Sequence, residues 1–296
     1  MKFIVTILKK VKLFLSRSFF SLFQKIGLHI LRVHYYSPIP DTRKIPENAW
    51  EVSTVGIKLI GNKYLEYIEK MRNYKEEFQV ICNGEMEDFN INNGSFETVD
   101  AEVYFSMIRI LKPKQIIEIG SGFSTKIAIA AVKINKAEDS MYDCLITCIE
   151  PYPTTELCDN KYVKLIQNRL EDINFNLFNQ LGSNDILFID STHSLKIGND
   201  VYYEYLEIIP NINSNVYIHI HDIFIPNQYS KRWIYQQNFF WTEQYILQAF
   251  LMFNSEFEVI FPCNYIHSSK PEILKELFPS YPMDEDGPGS FWMRRM

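Results

Sequence analysis

The sequence predicts an α/β protein built on a doubly wound, mostly parallel seven-stranded sheet with an N-terminal helical extension. Three observations point there. From residue 115 onward, short apolar runs alternate with longer stretches of helical period. The first five runs are followed by Gly120, Glu150, the region near Asp172, Asp190, and His221-Asp222, so polar chemistry collects where strands end. Hydrophobic residues make up 47% and aromatics 15% of 296 residues, enough for a large core and an aromatic-lined pocket.

Residues 1–40 hold seven basic side chains and no acid, against 23 bases and 36 acids in the rest, a net −13. Their uncharged runs are shorter than the roughly 18–20 residues a spanning helix needs, and no small-residue cleavage site marks a signal peptide. Leu13, Phe14, Phe20, Phe23 and Ile26 recur at about helical spacing among Lys, Arg and Ser, so residues 1–32 read as a basic amphipathic helix. Two placements compete: peripheral contact with an anionic membrane, or packing on the main domain or on a second copy of the chain, as in a homo-oligomer. His34–Asp41 contains Pro38 and Pro40 and reads as an extended linker, closing a first segment over residues 1–41. The overall net charge of −6 argues against general nucleic-acid binding. Five cysteines without CxxC spacing suggest neither a disulfide framework nor a zinc site, and fit a reducing cytoplasm.

Residues 42–99 read as a helical lead-in. Leu59, Ile60, Leu65, Ile68 and Met71 predict a helix over 57–78, and Asn90–Gly94 is a loop. The third segment, 100–296, opens with a helix over Asp100–Leu111, where Asp100 can serve as cap. Strands are expected at Ile116–Ile119, Leu145–Ile149, Val163–Ile166, Ile186–Ile189, Val216–Ile220, Phe257–Phe261 and Phe291–Arg294. Helices are expected at Ser124–Ile134, Leu170–Leu181, Val201–Ile209 and Thr242–Phe253. The insertion Pro226–Glu243 carries Tyr229, Trp233, Tyr235, Phe239, Phe240 and Trp241. It reads either as a lid or aromatic wall over a site, or as ordinary packing. In open parallel sheets, ligands bind outside the carboxyl ends of the strands.

Gly120 and Gly122 follow the first strand and open a helix, a turn that lets a ligand approach the backbone. Such a turn serves a nicotinamide dinucleotide, a flavin or S-adenosylmethionine. Thr125 stands where a dinucleotide fingerprint has its third glycine, and Glu118 lies two residues before the first. With these residues the sequence resembles the class I S-adenosylmethionine-dependent methyltransferases, Glu118-Ile119-Gly120-Ser121-Gly122 matching their first motif. The resemblance implies a Rossmann-like sheet whose last strand pair is antiparallel. It also implies a cofactor site formed by Glu118, Gly120, Ser121, Gly122, Ser124 and Thr125, with Glu150 on the ribose hydroxyls and Asp172 (or Glu171) near the adenine. The stretches Phe188–His193 and His219–Asp222 are similar to an uncharacterised branch near small-molecule and sugar O-methyltransferases.

Methyl transfer to an oxygen needs the acceptor hydroxyl deprotonated or polarised by a metal. His193, His221 and Asp190 are the candidate catalytic residues. By resemblance to metal-dependent catechol-type enzymes, Asp190 and Asp222 are candidate ligands for Mg²⁺, with His221 in place of the expected amide. His219 is read as structural and as pointing to the face opposite His221. The expected partner is a small-molecule or sugar acceptor. The other functions weighed are a nicotinamide-dependent oxidoreductase and a non-catalytic, membrane-docked module. No Tyr-x-x-x-Lys pair supports the first.

Overall fold

The computed structural model describes residues 19–59, 63–86, 89–158, 160–281 and 286–296; Leu13 and Phe14 of the basic segment lie outside them. Seven strands form one sheet: β1 (Gln115–Ile119), β2 (Leu145–Ile149), β3 (Val163–Ile166), β4 (Ile186–Ile189), β5 (Tyr217–Ile220), β6 (Phe257–Pro262) and β7 (Phe291–Arg295). Their order is β3-β2-β1-β4-β5-β7-β6, parallel except for β7, which runs antiparallel to both β5 and β6.

The strands are nearly continuous apolar runs because both faces of the sheet are covered. Alternate residues feed two cores. Ile116, Ile146, Ile186 and Phe188 pack with Tyr67, Phe78, Tyr104 and Ile127 from the helices Lys63–Met71, Lys75–Cys82, Asp100–Leu111 and Phe123–Glu138. Ile117, Ile119, Leu187, Ile189, Ile218 and Ile220 pack with Val201, Tyr205, Ile208 and Leu247 on the other side. Residues 63–82 thus share a core with the sheet.

The helical segments depart from the sequence reading in several places. The helix expected over 57–78 is two helices joined by a tight turn at Arg72–Tyr74. Leu170–Leu181 is two short 3₁₀ turns with Leu170 and Phe178 buried. A third helical pair, Cys263–Ser269 and Pro271–Leu277, was not expected; its apolar positions, Ile266, Leu274 and Leu277, sit in the first core. At the N-terminal side, the helix Phe20–Lys25 buries no residue. Among the described residues no helix is long and apolar enough to cross a membrane.

The register aligns Ile149, Ile119, Ile189 and Ile220 in one row across β2, β1, β4 and β5. The next residues, Glu150, Gly120, Asp190 and His221, therefore line one carboxyl edge. The strand order reverses between β1 and β4, the topological switch point where a crevice opens.

Candidate active site

Gly120 is where the switch point tightens. Its φ is +91°, and a Cβ there would lie 2.2 Å from the carbonyl oxygen of Asp190. Both the dihedral and the contact demand glycine. Gly122, by contrast, has an extended φ of 168°, and a Cβ there would meet nothing within 4 Å. Its side faces open space.

Glu118 lies fully buried under this turn. Tyr104 donates to its carboxylate at 2.8 Å and Thr125 at 2.5 Å, while Thr125 Oγ1 accepts the Gly122 N–H at 3.1 Å. The Cys148 thiol adds a contact at 3.5 Å. Burial raises the Glu118 carboxyl to about 7, against the lowering effect of the two hydroxyl donors. Glu118 therefore shapes the turn through Thr125 rather than lining a cleft itself. Ser124 is buried beside Thr125, and Ser121 Oγ is buried without a hydrogen-bond partner.

A cleft of about 580 Å³ opens above the turn, lined by Gly120, Glu150, Tyr152, Glu171, Asp190 and Thr192, among others. The acid it reaches after β3 is Glu171; Asp172, the residue first named from the sequence, is exposed and stands outside the cleft. The tight 3₁₀ turn Leu170–Asp172 pivots on buried Leu170 and carries Asp172 outward.

A second cavity of about 600 Å³ adjoins it, lined by Asp100, Asp190, His221, Asp222, Trp233 and Trp241, among others. Asp190 lines both. Trp233, Phe239 and Trp241 of the insertion form part of its wall, while Tyr229 and Ile234 pack beneath with Phe224. The insertion is both a wall and a small core of its own.

Around Asp190 the structure gathers more than the sequence suggested. His193 Nε2 lies 3.3 Å from Asp190 Oδ1 and 3.5 Å from Asp222 Oδ2. Its other ring nitrogen, Nδ1, meets Glu243 Oε2 at 2.8 Å, and Tyr205 donates to Glu243 Oε1 at 3.0 Å. His221 Nδ1 lies 3.6 Å from Asp190 Oδ1 and 3.8 Å from Asp222 Oδ1, and its Nε2 faces Asp100 at 3.5 Å. His193 and Asp222 both adopt left-handed backbone, φ +54° and +57°, strain of the kind that persists at functional sites. Asp100 is not the helix cap. It is the first helical residue, and its carboxylate accepts the N–H groups of Gly289 and Ser290 at 2.9 and 2.8 Å. The turn before it holds Val99 at φ +60°, with its N–H bound by Glu102.

His219 and His221 do not face opposite sides. Residues two apart on a strand share a face, and Phe96 packs on both rings. What separates them is depth. His219 lies within β5, stacked on Trp292 at 4.2 Å and bonded to Ser290 Oγ at 2.8 Å, and burial keeps it neutral. His221 lies one step past the strand end, at the cavity. Burial opposes charge on His193 and His221 too. For His193 the Asp190 and Glu243 hydrogen bonds outweigh burial, for His221 the charges of Asp222 and Asp190, and both imidazoles are held well above the usual range. Burial likewise raises the Asp190 carboxyl, but the charge of His221 and the His193 hydrogen bond more than offset it, leaving the carboxyl below the usual range.

The magnesium implied by the sequence resemblance can be tested on this donor set. Mg²⁺ takes an octahedral shell of oxygens and keeps several waters. Here Asp190 and Asp222 are interleaved with two buried imidazole nitrogens, and His193 belongs to the same cluster, its ligand atom within 4.8 Å of theirs. These residues do not fit a magnesium shell.

Residues 117–223 match a family model described as a methyltransferase domain. An Archaeoglobus fulgidus protein of undescribed function is 31% identical over 198 residues, covering 61% of this chain and 86% of that protein. The chain belongs to the class I S-adenosylmethionine-dependent methyltransferases. The sheet order and the turn at its switch point agree. Two solved methyltransferases are among the structures similar to this chain. One from Podospora anserina bound to S-adenosylhomocysteine is 17% identical, with a TM-score of 0.41, over 80% of this chain and 89% of that one. An O-methyltransferase from Bacillus cereus is 11% identical, with a TM-score of 0.40, over 81% and 93%.

Sequence reasoning missed Asp100 and Glu204 at this site. Asp100 looked like any acid opening a helix. Glu204 is a fully buried acid behind Ser191, which donates to it at 3.2 Å; in the sequence it sits unremarked within an amphipathic run. Glu243, in the sequence reading only the last residue of the aromatic insertion, backs His193.

Proposed function

We propose that this methyltransferase moves a methyl group from S-adenosylmethionine to an oxygen of a small-molecule or sugar acceptor. The observation that carries this reading is that two cavities of similar size meet at one carboxylate, Asp190. The first has the glycine turn and two acids, Glu150 and Glu171, suited to the amino-acid, ribose and adenine parts of the donor. The second has aromatic walls and a cluster of acids and imidazoles, suited to a ring with polar substituents. A donor in one and an acceptor in the other would face each other across Asp190, which is the positioning that displacement at a sulfonium methyl needs. In this reading the cofactor residues are Gly120, Ser121, Gly122, Glu150 and Glu171, with Glu118, Ser124 and Thr125 supporting the turn from below. His193 and His221, held toward the charged form beside Asp190, would stabilise negative charge developing on the acceptor oxygen. The test is thermal stabilisation by S-adenosylmethionine, S-adenosylhomocysteine and NAD, followed by transfer of labelled methyl to a panel of phenols, sugars and amines. Stabilisation by NAD alone, or label transferred only to nitrogen acceptors, refutes the reading.

A second reading concerns the N-terminal segment. Ten large apolar side chains between Phe19 and Ile39 are exposed, on a stretch with bases and no acids before Asp41. This supports peripheral docking on anionic lipid over packing on the chain's own domain.

A further inference from the structure

The linker after the exposed apolar stretch is fastened to the wall of the acceptor cavity. Trp50 donates its indole N–H to the Tyr229 carbonyl at 3.3 Å, and its ring stacks on Tyr235 with centroids 6.1 Å apart. The Lys231 ammonium lies 4.8 Å from the Trp50 ring centroid and pairs with Glu47 at 2.9 Å. Tyr229, Lys231 and Tyr235 all belong to the aromatic insertion that walls the second cavity. The apolar side chains exposed between Phe19 and Ile39 are thus tethered, through Glu47 and Trp50, to the insertion.

Between linker and insertion lies a groove of about 280 Å³, lined by Pro38, Ile45, Ala49, Trp50, Ile234 and Phe240, among others. Among the described residues, none that lines it is charged. The cavity beside it is the opposite, with Asp100, Asp190, His221 and Asp222 in its wall. Phe239 and Trp241 line both. Their rings stack at 5.0 Å, Phe239 is 40% exposed, and Trp241 packs on His193 at 4.4 Å. A molecule lying across this ring pair meets acids and imidazoles at one end and hydrocarbon surface at the other. An uncharged, aromatic-lined groove takes up hydrocarbon because both partners then remove apolar surface from water.

We propose that the acceptor is a membrane-borne amphiphile, its hydroxyl-bearing head in the cavity at Asp190 and its hydrocarbon chain in the groove between linker and insertion. The proposal rests on the methyltransferase reading and names the acceptor class for that same site. Three features point one way. The stretch before Asp41 has exposed apolar side chains, bases and no acid, which suits an anionic lipid surface. The linker ties that stretch to the groove. The groove shares two aromatic rings with the cavity where the methyl group is to be accepted. A sugar without a chain would leave the groove unused.

The probe is 11-bromo-1-undecanol, a hydroxyl on a hydrocarbon chain whose bromine quenches tryptophan fluorescence. Three of the four tryptophans, Trp50, Trp233 and Trp241, line the groove or the cavity. The full chain should be quenched, and hexanol, octanol and decanol should displace the probe with affinity rising about two- to fourfold per added methylene. Ala49→Phe, which fills the groove, and Ile45→Glu, which charges it, should each weaken decanol about tenfold or more and leave S-adenosylhomocysteine binding unchanged. Phosphatidylglycerol vesicles with brominated acyl chains should quench the same tryptophans. Affinity independent of chain length, or decanol binding unchanged in both variants, overturns the proposal. Quenching by the bromoalcohol but not by the vesicles overturns the membrane source in favour of a soluble amphiphile. S-adenosylhomocysteine binding, measured by calorimetry on the same samples, separates the two claims. If it persists while the alcohols fail these tests, this inference fails and the methyltransferase reading stands; if it is absent, that reading fails.

Discussion

Substituting Glu118 by glutamine should abolish a specific part of the protein's pH-dependent stability. The carboxyl is fully buried and titrates at about 7, against an ordinary 4.5. Between those two values the native state binds a proton that the unfolded chain releases, so stability falls as pH rises. The contribution is fully present below pH 4.5 and fully lost above about 7. At ~1.4 kcal/mol per pH unit, the complete loss is about 3 kcal/mol, of which about 2.5 kcal/mol falls between pH 5 and 8. Glutamine has nearly the same shape but carries no titrating proton. It can accept from Tyr104 or from Thr125 but not from both, a penalty that does not vary with pH. The assay is urea unfolding of the cofactor-free wild type and Glu118→Gln at pH 5 and pH 8. The difference between them isolates this group, because the aspartate–histidine cluster titrates in both proteins. The wild type should lose about 2.5 kcal/mol more than the variant over that range. A difference below about 1 kcal/mol refutes the reasoning, and with it the claim that Glu118 is held protonated beneath the turn.

Two further outcomes are expected. Gly120→Ala must place a Cβ against the Asp190 carbonyl at a left-handed φ, and should destabilise the fold by roughly 2–5 kcal/mol. S-adenosylhomocysteine binding should weaken with it, whereas Gly122→Ala, with open space around it, should cost about 1 kcal/mol or less in stability; equal unfolding midpoints for the two variants would contradict the geometry. Deleting residues 1–32 should abolish flotation with anionic liposomes and leave neutral liposomes unaffected; unchanged partitioning refutes the membrane reading.

Much of the fold was legible because its signals are local. Strands buried on both faces must be apolar throughout, so β1, β2, β4 and β5 stand out at nearly their observed ends. Each ends in a residue that cannot belong to a core, and that alone placed Gly120, Glu150, Asp190 and His221 at one edge. The irregular helical turns over 170–180 and 200–211 were less legible. Their apolar spacing is set by what they cover on the sheet, and a single stretch of residues carries no record of the surface it packs on.

The glycine turn, its buried acid and the parallel sheet are properties of short segments, and the order of residues along the chain determined them. The site is not. His193 and Glu243 are fifty positions apart, and Asp100 lies more than a hundred from His221 and from the Gly289 and Ser290 N–H groups that hold it. Only the tertiary structure decided that these groups meet, that His219 sinks into the core while His221 reaches the cavity, and that Glu171 rather than Asp172 reaches the cleft. The physical reason is that charge, hydrogen bonding and ligand geometry act over a few ångströms of space, whatever the separation along the chain.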